Sequence, residues 1–132
     1  MEYLLDTNIC IYLIKRKPLQ VFDRFRSLPV GVLGISSVTE AELLYGVEKS
    51  QQSEKNRLAL AHFLLPLEII PFGSAAAHEY SIIRSELEKT GNVIGPLDML
   101  IAAQAKATGA TLITNNENEF LRVNELKVEN WV

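Results

Sequence analysis

Short apolar runs alternate with longer stretches of helical periodicity along this chain. The apolar runs predict five strands, at residues 2–5, 30–35, 67–70, 111–114 and 127–129, of which the last has the weakest pattern. The periodic stretches predict helices at residues 8–15, 18–28, 38–49, 54–64, 75–89 and 97–107. Strands that alternate with helices are typical of a parallel sheet covered on both faces, so we predict the α/β class.

Several predicted helices carry recognisable signals at their ends. Ser37 followed by Glu40 forms a capping-box pattern at the start of the third predicted helix, and Ser53 is the predicted N-cap of the fourth. Gly91 and Gly109 follow the last two predicted helices. Glycine is the usual residue there, because the chain leaves a helix in the left-handed conformation.

The composition fits an ordinary globular domain. Hydrophobic residues make up 48% and charged residues 22% of the 132 residues, and no repeat or linker divides them, so we expect a single domain over residues 1–132. No apolar run reaches the roughly 18 residues that cross a bilayer, and the first residues lack the basic region of a signal peptide, so we expect a cytoplasmic protein without membrane contact. Cys10 lies in an apolar stretch and is expected to be a small buried side chain rather than a catalytic thiol.

The net charge does not favour bulk electrostatic attraction to nucleic acid. Thirteen lysine and arginine residues stand against 16 aspartate and glutamate residues, which gives a formal net charge of −3. That objection weakens if several acids converge on one site, because bound divalent cations reverse the charge that a phosphate meets. The basic residues Lys15, Arg16, Lys17 and Lys49 could contact phosphates, although solvated helix ends explain them equally well.

Aromatic side chains are a second possible contact for RNA, since they stack on unpaired bases. Tyr45, Phe63 and Phe72 are nevertheless expected in the core. Trp131, close to the end of the sequence, has no predicted role.

Asp6 stands directly after the first predicted strand. In open parallel sheets, ligands bind beyond the carboxyl ends of the strands, where the strand order reverses. A carboxylate at a strand end therefore indicates a crevice, although a plain helix N-cap is the alternative explanation. Thr114 ends the fourth predicted strand, and Asn116 and Glu119 follow it, so all three belong to the same rim. Asn8 adds a further side-chain oxygen near Asp6. Turn formation accounts for much of this asparagine content.

Glu42 and Asp98 are acids set among apolar neighbours. Glu42 lies one turn into the third predicted helix, and Asp98 begins the most apolar helix of the chain. Carboxylates are rarely buried without a partner, so each requires a hydrogen-bond donor, a cation or a metal. The alternatives are a solvated helix face for Glu42 and a favourable interaction with the helix dipole for Asp98.

A cluster of these acids makes chemical sense chiefly as a metal site. Carboxylates brought together repel one another, which raises pKa values unless divalent cations compensate. Hard oxygen ligands without a partnering cysteine favour Mg²⁺ or Mn²⁺ over zinc, and both histidines, His62 and His78, lie in predicted helices away from these motifs. Metals held by carboxylates support in-line displacement at a phosphoryl group, which is nuclease chemistry.

Four segments of the chain, taken in order, resemble the PIN-domain toxins of VapC type. They are LLDTN at residues 4–8, SVTEAELLYG at 37–46, LDMLIAAQA at 97–105, and TNN at 114–116 with Glu119 and Phe120. The resemblance spans essentially the whole chain, and four motifs in this order are much more specific than any one alone. It implies a PIN-like fold, in which a five-stranded parallel sheet lies between helices.

The resemblance also implies roles for the acids. Asp6, Glu42 and Asp98 match family positions that bind Mg²⁺ or Mn²⁺ for RNA phosphodiester cleavage. Many family members carry a further aspartate where this chain has Asn116. We expect Glu119 to take the place of that acid as a fourth catalytic residue. Whether the site binds a second metal stays open.

Partners and substrate follow from the same resemblance. VapC-like toxins are typically dimers that a small VapB-like antitoxin holds inactive, so a homodimer and such a partner are implied. Family substrates are structured RNAs, commonly transfer RNA near the anticodon, and bacterial members similar to this chain often cut the initiator transfer RNA. We therefore expect an endoribonuclease that cleaves transfer RNA, inhibits translation and is neutralised by its antitoxin.

Two other interpretations stay open from the sequence. A PIN-like fold without its second metal could bind only RNA or a protein; Asn116 supports this interpretation, whereas the retained Asp6, Glu42 and Asp98 count against it. An aspartyl-phosphate enzyme would use Asp6 as a nucleophile. Enzymes of the haloacid-dehalogenase kind carry a second aspartate two positions on, where this chain has Asn8.

Overall fold

Twelve strands and helices alternate along the chain in the order that the sequence predicts, with one short helix added. A computed structural model describes residues 1–132. The strands are β1 (Tyr3–Leu5), β2 (Leu33–Ser36), β3 (Glu68–Ile70), β4 (Thr111–Ile113) and β5 (Val128–Glu129). The helices are α1 (Thr7–Lys15), α2 (Leu19–Arg26), α3 (Ser37–Glu48), α4 (Ser53–Leu64), α5 (Ser74–Thr90), α6 (Pro96–Thr108) and α7 (Glu117–Phe120).

The five strands form one sheet in the order β3-β2-β1-β4-β5, and every neighbouring pair is parallel. The predicted α/β class and five-stranded parallel sheet are therefore confirmed. From β1 the chain adds β2 and β3 on one side, and later β4 and β5 on the other. The strand order thus reverses at the β1–β4 pair, which is where open parallel sheets form a crevice at their carboxyl edge.

The sheet has a separate apolar core on each face. Neighbouring residues of a strand point to opposite faces, so Leu4 and Leu112 pack on one side while Leu5 and Ile113 pack on the other. The first face is covered by α5 and α6, whose buried side chains include Ile83. The second face is covered by α1 to α4. Helices on both faces explain why the central strands β1 and β4 place buried apolar side chains on both sides of the sheet.

The helix α6 is the most buried helix of the chain, as its composition predicts. Its buried residues are Met99, Ile101, Ala102, Ala103, Gln104 and Ala105. Gly109 ends α6 and Gly91 ends α5, both in the left-handed conformation, with φ of 75° and 71°. Asp98 lies in the first turn of α6, so a helix fixed inside the core holds this acid in place.

The second strand begins later than its apolar run suggests. We predicted a strand from residue 30, but Val30 is 83% exposed and β2 begins at Leu33. The reason lies at Gly31, whose φ of 99° places the chain in a turn that a strand cannot contain.

Two predicted N-caps are shifted by one residue. Ser36, at the end of β2, is the N-cap of α3, and its hydroxyl accepts the Val38 N–H at 3.1 Å. The predicted cap Ser37 instead accepts the Phe72 N–H at 3.0 Å and so fastens α3 to the segment after β3. Ser53 is the first residue of α4 rather than its cap.

The aromatic side chains divide between core and surface. The prediction for Tyr45 is wrong: the side chain is 66% exposed, and the Lys49 ammonium lies 5.1 Å from its ring centroid. Phe63 and Phe72 are half-buried beside the core, as expected in part. Trp131 is buried and packs against Tyr3 in a T-shaped arrangement, with 5.9 Å between the ring centroids.

Cys10 is fully buried as predicted, and burial, with a smaller effect of the Asp6 charge, raises the pKa of its thiol well above the ordinary value. Its neutral thiol behaves as a small apolar side chain. None of the helices has the length and apolar content needed to span a membrane.

Candidate active site

Asp6 lies at the carboxyl end of β1 and is almost fully buried, with 4% of its surface exposed. It is also the N-cap of α1, since Oδ1 accepts the Ile9 N–H at 2.8 Å. The capping explanation is therefore correct without excluding a second role. Burial raises the pKa of Asp6, and the negative charge of Glu42 raises it further, whereas the Thr114 hydroxyl and the backbone N–H groups of Ile9 and Asn8 oppose that rise.

Glu42 faces this end of β1 from the second turn of α3. The Thr7 hydroxyl donates a hydrogen bond to Glu42 Oε1 at 2.7 Å and lies 3.4 Å from the Thr39 hydroxyl. Thr7 directly follows Asp6, so its hydrogen bond to Glu42 brings the two acids near each other. Thr39, which also meets Thr7, lies one helical turn before Glu42 on the same face of α3. Glu42 is half-buried, not on a fully solvated helix face.

Asp98 approaches the same space from the first turn of α6. Burial raises the pKa of Asp98 to about 7. A hydrogen bond shared with Glu119 and the charge of Glu119 add to this rise, followed by the charges of Asp6 and Glu42. The helix dipole alone would lower the pKa, so the neighbouring acids and burial outweigh it.

Glu119 comes from α7, the short helix that the sequence analysis did not predict. The Asn116 side chain donates a short hydrogen bond to Glu119 Oε2. Asn116 is held in turn by its backbone N–H, which donates to the buried Thr114 hydroxyl at 2.9 Å. Thr114 directly follows β4, so this chain of contacts fixes Glu119 to the sheet edge next to Asp6.

The four carboxylates surround one space without a compensating cation from the protein. The chain has four ion pairs, and none includes Asp6, Glu42, Asp98 or Glu119. No three of the Asp, Glu, His and Cys side chains are arranged as a ready-made set of metal ligands. Oxygens of Glu42, Asp6 and Glu119 are hydrogen-bonded to neighbouring protein groups. The donor set consists of hard carboxylate, hydroxyl and amide oxygens, which suits Mg²⁺ or Mn²⁺.

The remaining candidates have different positions. The Asn8 side chain is exposed on the first turn of α1, at the rim. Both histidines, His62 and His78, are exposed on α4 and α5, as expected for residues outside the site.

Two side-chain contacts that support the site, one buried and one partly buried, were missed in the sequence analysis. Ser36 donates to Gln104 Oε1 at 2.9 Å, which joins the cap of α3 to the middle of α6. The Asn115 side chain donates to the Tyr12 hydroxyl at 2.7 Å, which joins the segment after β4 to α1. A glutamine inside the apolar helix α6 was the available signal for the first contact, whereas nothing in the sequence pairs Asn115 with Tyr12.

Comparison with known proteins decides the family. The PIN domain family matches residues 3–126. The chain is 44% identical over 131 residues to the tRNA(fMet)-specific endonuclease VapC of Shigella flexneri, covering 99% of this chain and 98% of the relative. It is 45% identical over 132 residues to ribonuclease VapC2 of Haemophilus influenzae, covering 100% and 99%. The chain belongs to the VapC family of PIN-domain ribonucleases.

A solved structure of the VapC family agrees with the fold. One chain in the crystal structure of VapBC2 from Rickettsia felis, bound to a DNA fragment from their promoter, superposes with a TM-score of 0.94. It is 44% identical and covers 100% of this chain and 100% of that chain. The resemblance inferred from four sequence segments is thus confirmed over the full length.

Asn116 stands where the family resemblance led us to expect an aspartate, and we predicted that Glu119 would take the place of that acid. In the structure the two side chains are hydrogen-bonded, and Glu119 also reaches Asp98. A carboxylate is therefore available beside Asn116, although it is supplied from one helical turn further along.

Glu119→Gln is expected to lower the pKa of Asp98 below about 7 in metal-free protein. The substitution removes the negative charge that raises the pKa of Asp98, while the amide oxygen can still accept from Asn116. Titration of the Asp98 carboxyl carbon by NMR in EDTA measures this shift. Glu117→Gln is the matched control, since Glu117 is exposed on the same helix; an unchanged Asp98 pKa in Glu119→Gln would contradict the described contact.

Proposed function

We propose that this chain is a Mg²⁺- or Mn²⁺-dependent endoribonuclease in which Asp6, Glu42 and Asp98 bind the metal and Glu119 is the fourth catalytic acid. The observation that carries the proposal is the convergence of these carboxylates on one space, with raised pKa values for Asp6 and Asp98 and no protein cation beside them. Such an arrangement is costly unless a cation compensates the charge.

The chain's own residues would prepare this site. Thr7 holds the Glu42 carboxylate through its hydroxyl, and the Ile9 N–H holds that of Asp6. Asp98 is hydrogen-bonded to Glu119, and that contact helps to raise the pKa of Asp98. A divalent ion supplies charge stabilisation at the phosphoryl oxygens and lowers the pKa of an attacking water. Asn8, Thr114 and Asn116 are the supporting residues, because they lie on the rim or fasten its acids.

Mg²⁺ binding is expected to weaken as the pH falls below about 7, the raised pKa of Asp98. Below this pH, Asp98 is mostly neutral and must release a proton before it can serve as an anionic ligand. If one proton is displaced, apparent affinity should fall by about tenfold per pH unit on the acid side and level off above it. Isothermal titration calorimetry in two buffers of different ionisation enthalpy measures affinity and proton release together. Affinity that does not change across this range would contradict the role of Asp98.

We infer that the substrate is transfer RNA, in particular the initiator transfer RNA cut in its anticodon region, with inhibition of translation as the result. Support comes from the 44% identical relative, which is a tRNA(fMet)-specific endonuclease. Purified initiator and elongator methionine transfer RNAs, incubated separately with the protein and Mg²⁺, test the specificity. Cleavage of the initiator species alone, with ends mapped to the anticodon region, is expected; equal cleavage of both would contradict it.

We also infer a VapB-like antitoxin as the partner of this cytoplasmic PIN domain, which covers residues 1–132 and forms a homodimer. Large apolar side chains remain exposed on α3 and α4, among them Tyr45 at 66% and Leu58 at 74%. Exposed apolar surface of this kind is typical of protein interfaces. Light scattering of the purified chain, alone and with the co-expressed antitoxin, tests both associations. A stable monomer that binds no antitoxin would contradict them.

A further inference from the structure

We propose that the junction of α1 and α2 binds backbone phosphates of the RNA at a distance from the cleaved bond. This α1–α2 basic surface consists of Lys15, Arg16, Lys17 and Arg26. The proposal rests on the proposed function, since it names how the RNA substrate is held. It assigns the surface to phosphates, which carry no base identity, rather than to the reacting group.

The positive charge of the chain is concentrated in this segment. Residues 15–26 contain five of the 13 lysine and arginine residues and only one acid, Asp23, although the whole chain has a formal net charge of −3. A local excess of positive charge attracts a polyanion even when the whole protein is acidic. The segment therefore answers the objection that the net charge raises against an RNA substrate.

Two arginines of the surface are arranged on one aromatic ring. The guanidinium carbons of Arg16 and Arg26 lie 5.2 Å and 5.6 Å from the ring centroid of Phe22. Neither side chain takes part in an ion pair or a side-chain hydrogen bond of the protein, whereas the nearby Arg24 is bonded to Glu129 at 3.2 Å. Stacking on Phe22 orients two planar groups whose N–H donors stay free, which is the geometry that suits phosphate oxygens.

The backbone at Arg16 supports a functional reason for this side chain. Arg16 follows α1 with φ of 58° and ψ of 35°, in the left-handed region that disfavours a β-carbon. The chain uses glycine at the equivalent positions after α5 and α6, Gly91 and Gly109. Glycine would be unstrained at this position, so an arginine there is explained if its guanidinium is needed for binding.

The basic surface lies at the far end of the helix that starts at the acids. Asp6 is the N-cap of α1, whose nine residues run from Thr7 to Lys15, a length of about 13 Å at about 1.5 Å per residue. A groove beside α1 has both Glu42 and Lys15 in its lining, along with apolar side chains of α3 and α4. An RNA strand that leaves the acids along this groove reaches the basic surface within a few nucleotides.

RNA binding by cleavage-deficient protein tests this assignment. In an Asp98→Asn background, the affinity for transfer RNA is measured by fluorescence anisotropy over a series of salt concentrations. The double variant Arg16→Gly/Arg26→Ala is expected to bind about tenfold more weakly or worse, and the slope of log affinity against log salt should fall by about 1.5, since each lost phosphate contact accounts for about 0.7 to 0.9. The matched control is Arg57→Ala/Arg84→Ala, which removes two exposed arginines paired elsewhere and should leave both values unchanged.

Folding is followed in parallel by circular dichroism and thermal unfolding. Arg16→Gly removes a β-carbon from a left-handed position, which offsets the entropy that glycine adds to the unfolded chain, and Arg26→Ala truncates an exposed side chain. The Tm of the double variant should therefore stay close to that of the parent protein. A loss of RNA affinity without a loss of Tm separates phosphate binding from a structural role of the arginines.

Two outcomes would overturn the proposal. One is an unchanged salt slope and affinity for transfer RNA in the double variant. The other is unchanged RNA binding with weakened binding of a purified VapB-like antitoxin, which would assign the surface to a protein partner. Failure of wild-type protein to cleave RNA, with transfer RNA still bound through these arginines, would instead count against the proposed function alone.

Discussion

Asp98→Asn is expected to reduce the rate of RNA cleavage by about 10³-fold or more. The substitution removes one of the three carboxylates that we propose as metal ligands, and with it much of the charge stabilisation at the phosphoryl group. A metal ion contributes several kcal/mol of such stabilisation, and about 1.4 kcal/mol corresponds to a factor of ten in rate. The effect should be largest above a pH of about 7, where the wild-type carboxylate is ionised.

The same substitution should not destabilise the fold in the absence of metal. The raised pKa of Asp98 means that the folded protein disfavours the charged form of this side chain at neutral pH. Asparagine removes that charge and keeps the shape of the residue. We therefore expect a Tm in EDTA equal to or above that of the wild type, and a smaller increase of Tm when Mg²⁺ is added.

Single-turnover cleavage at saturating RNA and thermal unfolding with and without Mg²⁺ measure these effects. Asp23→Asn is the matched control, because Asp23 is exposed on α2 and lies outside the site. Its cleavage rate at saturating RNA should equal that of the wild type. An Asp98→Asn protein that cleaves at the wild-type rate would remove Asp98 from the active site.

Phe120→Ala is expected to lower the free energy of unfolding by about 3–5 kcal/mol, the usual cost of truncating a buried phenylalanine to alanine. Phe120 is fully buried on the α5–α6 side of the sheet, where it belongs to the same core as Leu4 and Leu112. It also anchors α7, so Glu119 should lose its fixed position beside Asp98. Stability and cleavage are therefore expected to decline together.

Urea unfolding followed by circular dichroism measures the loss of stability. The control is Leu121→Ala, since Leu121 is the next residue, is 64% exposed and should change the free energy of unfolding by about 0.5 kcal/mol or less. If Phe120→Ala unfolded at the same urea concentration as the wild type, α7 would not be packed on the core as described.

The architecture could be predicted because its main signals are local. Apolar runs such as residues 3–5 and 111–113 are too short for helices, and the glycines after α5 and α6 fix where those helices end. Alternation of strands and helices then restricts the sheet to parallel pairing. Periodicity does not contain the strand order β3-β2-β1-β4-β5, which we did not predict from the sequence.

Other features depend on contacts between distant residues. The exposed position of Tyr45 is one example, since α3 has apolar residues on several sides and only packing decides which of them are buried. The four-residue helix α7 is another, because it is too short for a periodic pattern and is fixed by the burial of Phe120.

In the candidate site, too, local sequence signals could be read, whereas contacts between distant residues could not. Asp6 and Asp98 could be singled out because each carboxylate interrupts an apolar context. Their proximity could not be derived from spacing, since the two residues come from β1 and α6 and meet only through the folded sheet. The hydroxyl of Thr7 likewise meets Glu42 only because α1 and α3, which are far apart in sequence, are brought together by the fold.

Cleavage of purified initiator transfer RNA by the wild-type protein tests the central claim most directly. The protein is first freed of any co-purified antitoxin and then assayed with Mg²⁺, with excess EDTA, and with Mg²⁺ restored after EDTA. The account predicts one set of discrete fragments in the first and third reactions and intact RNA in the second. Equal cleavage in EDTA, or intact RNA with both Mg²⁺ and Mn²⁺, would contradict a metal-dependent ribonuclease built on these acids.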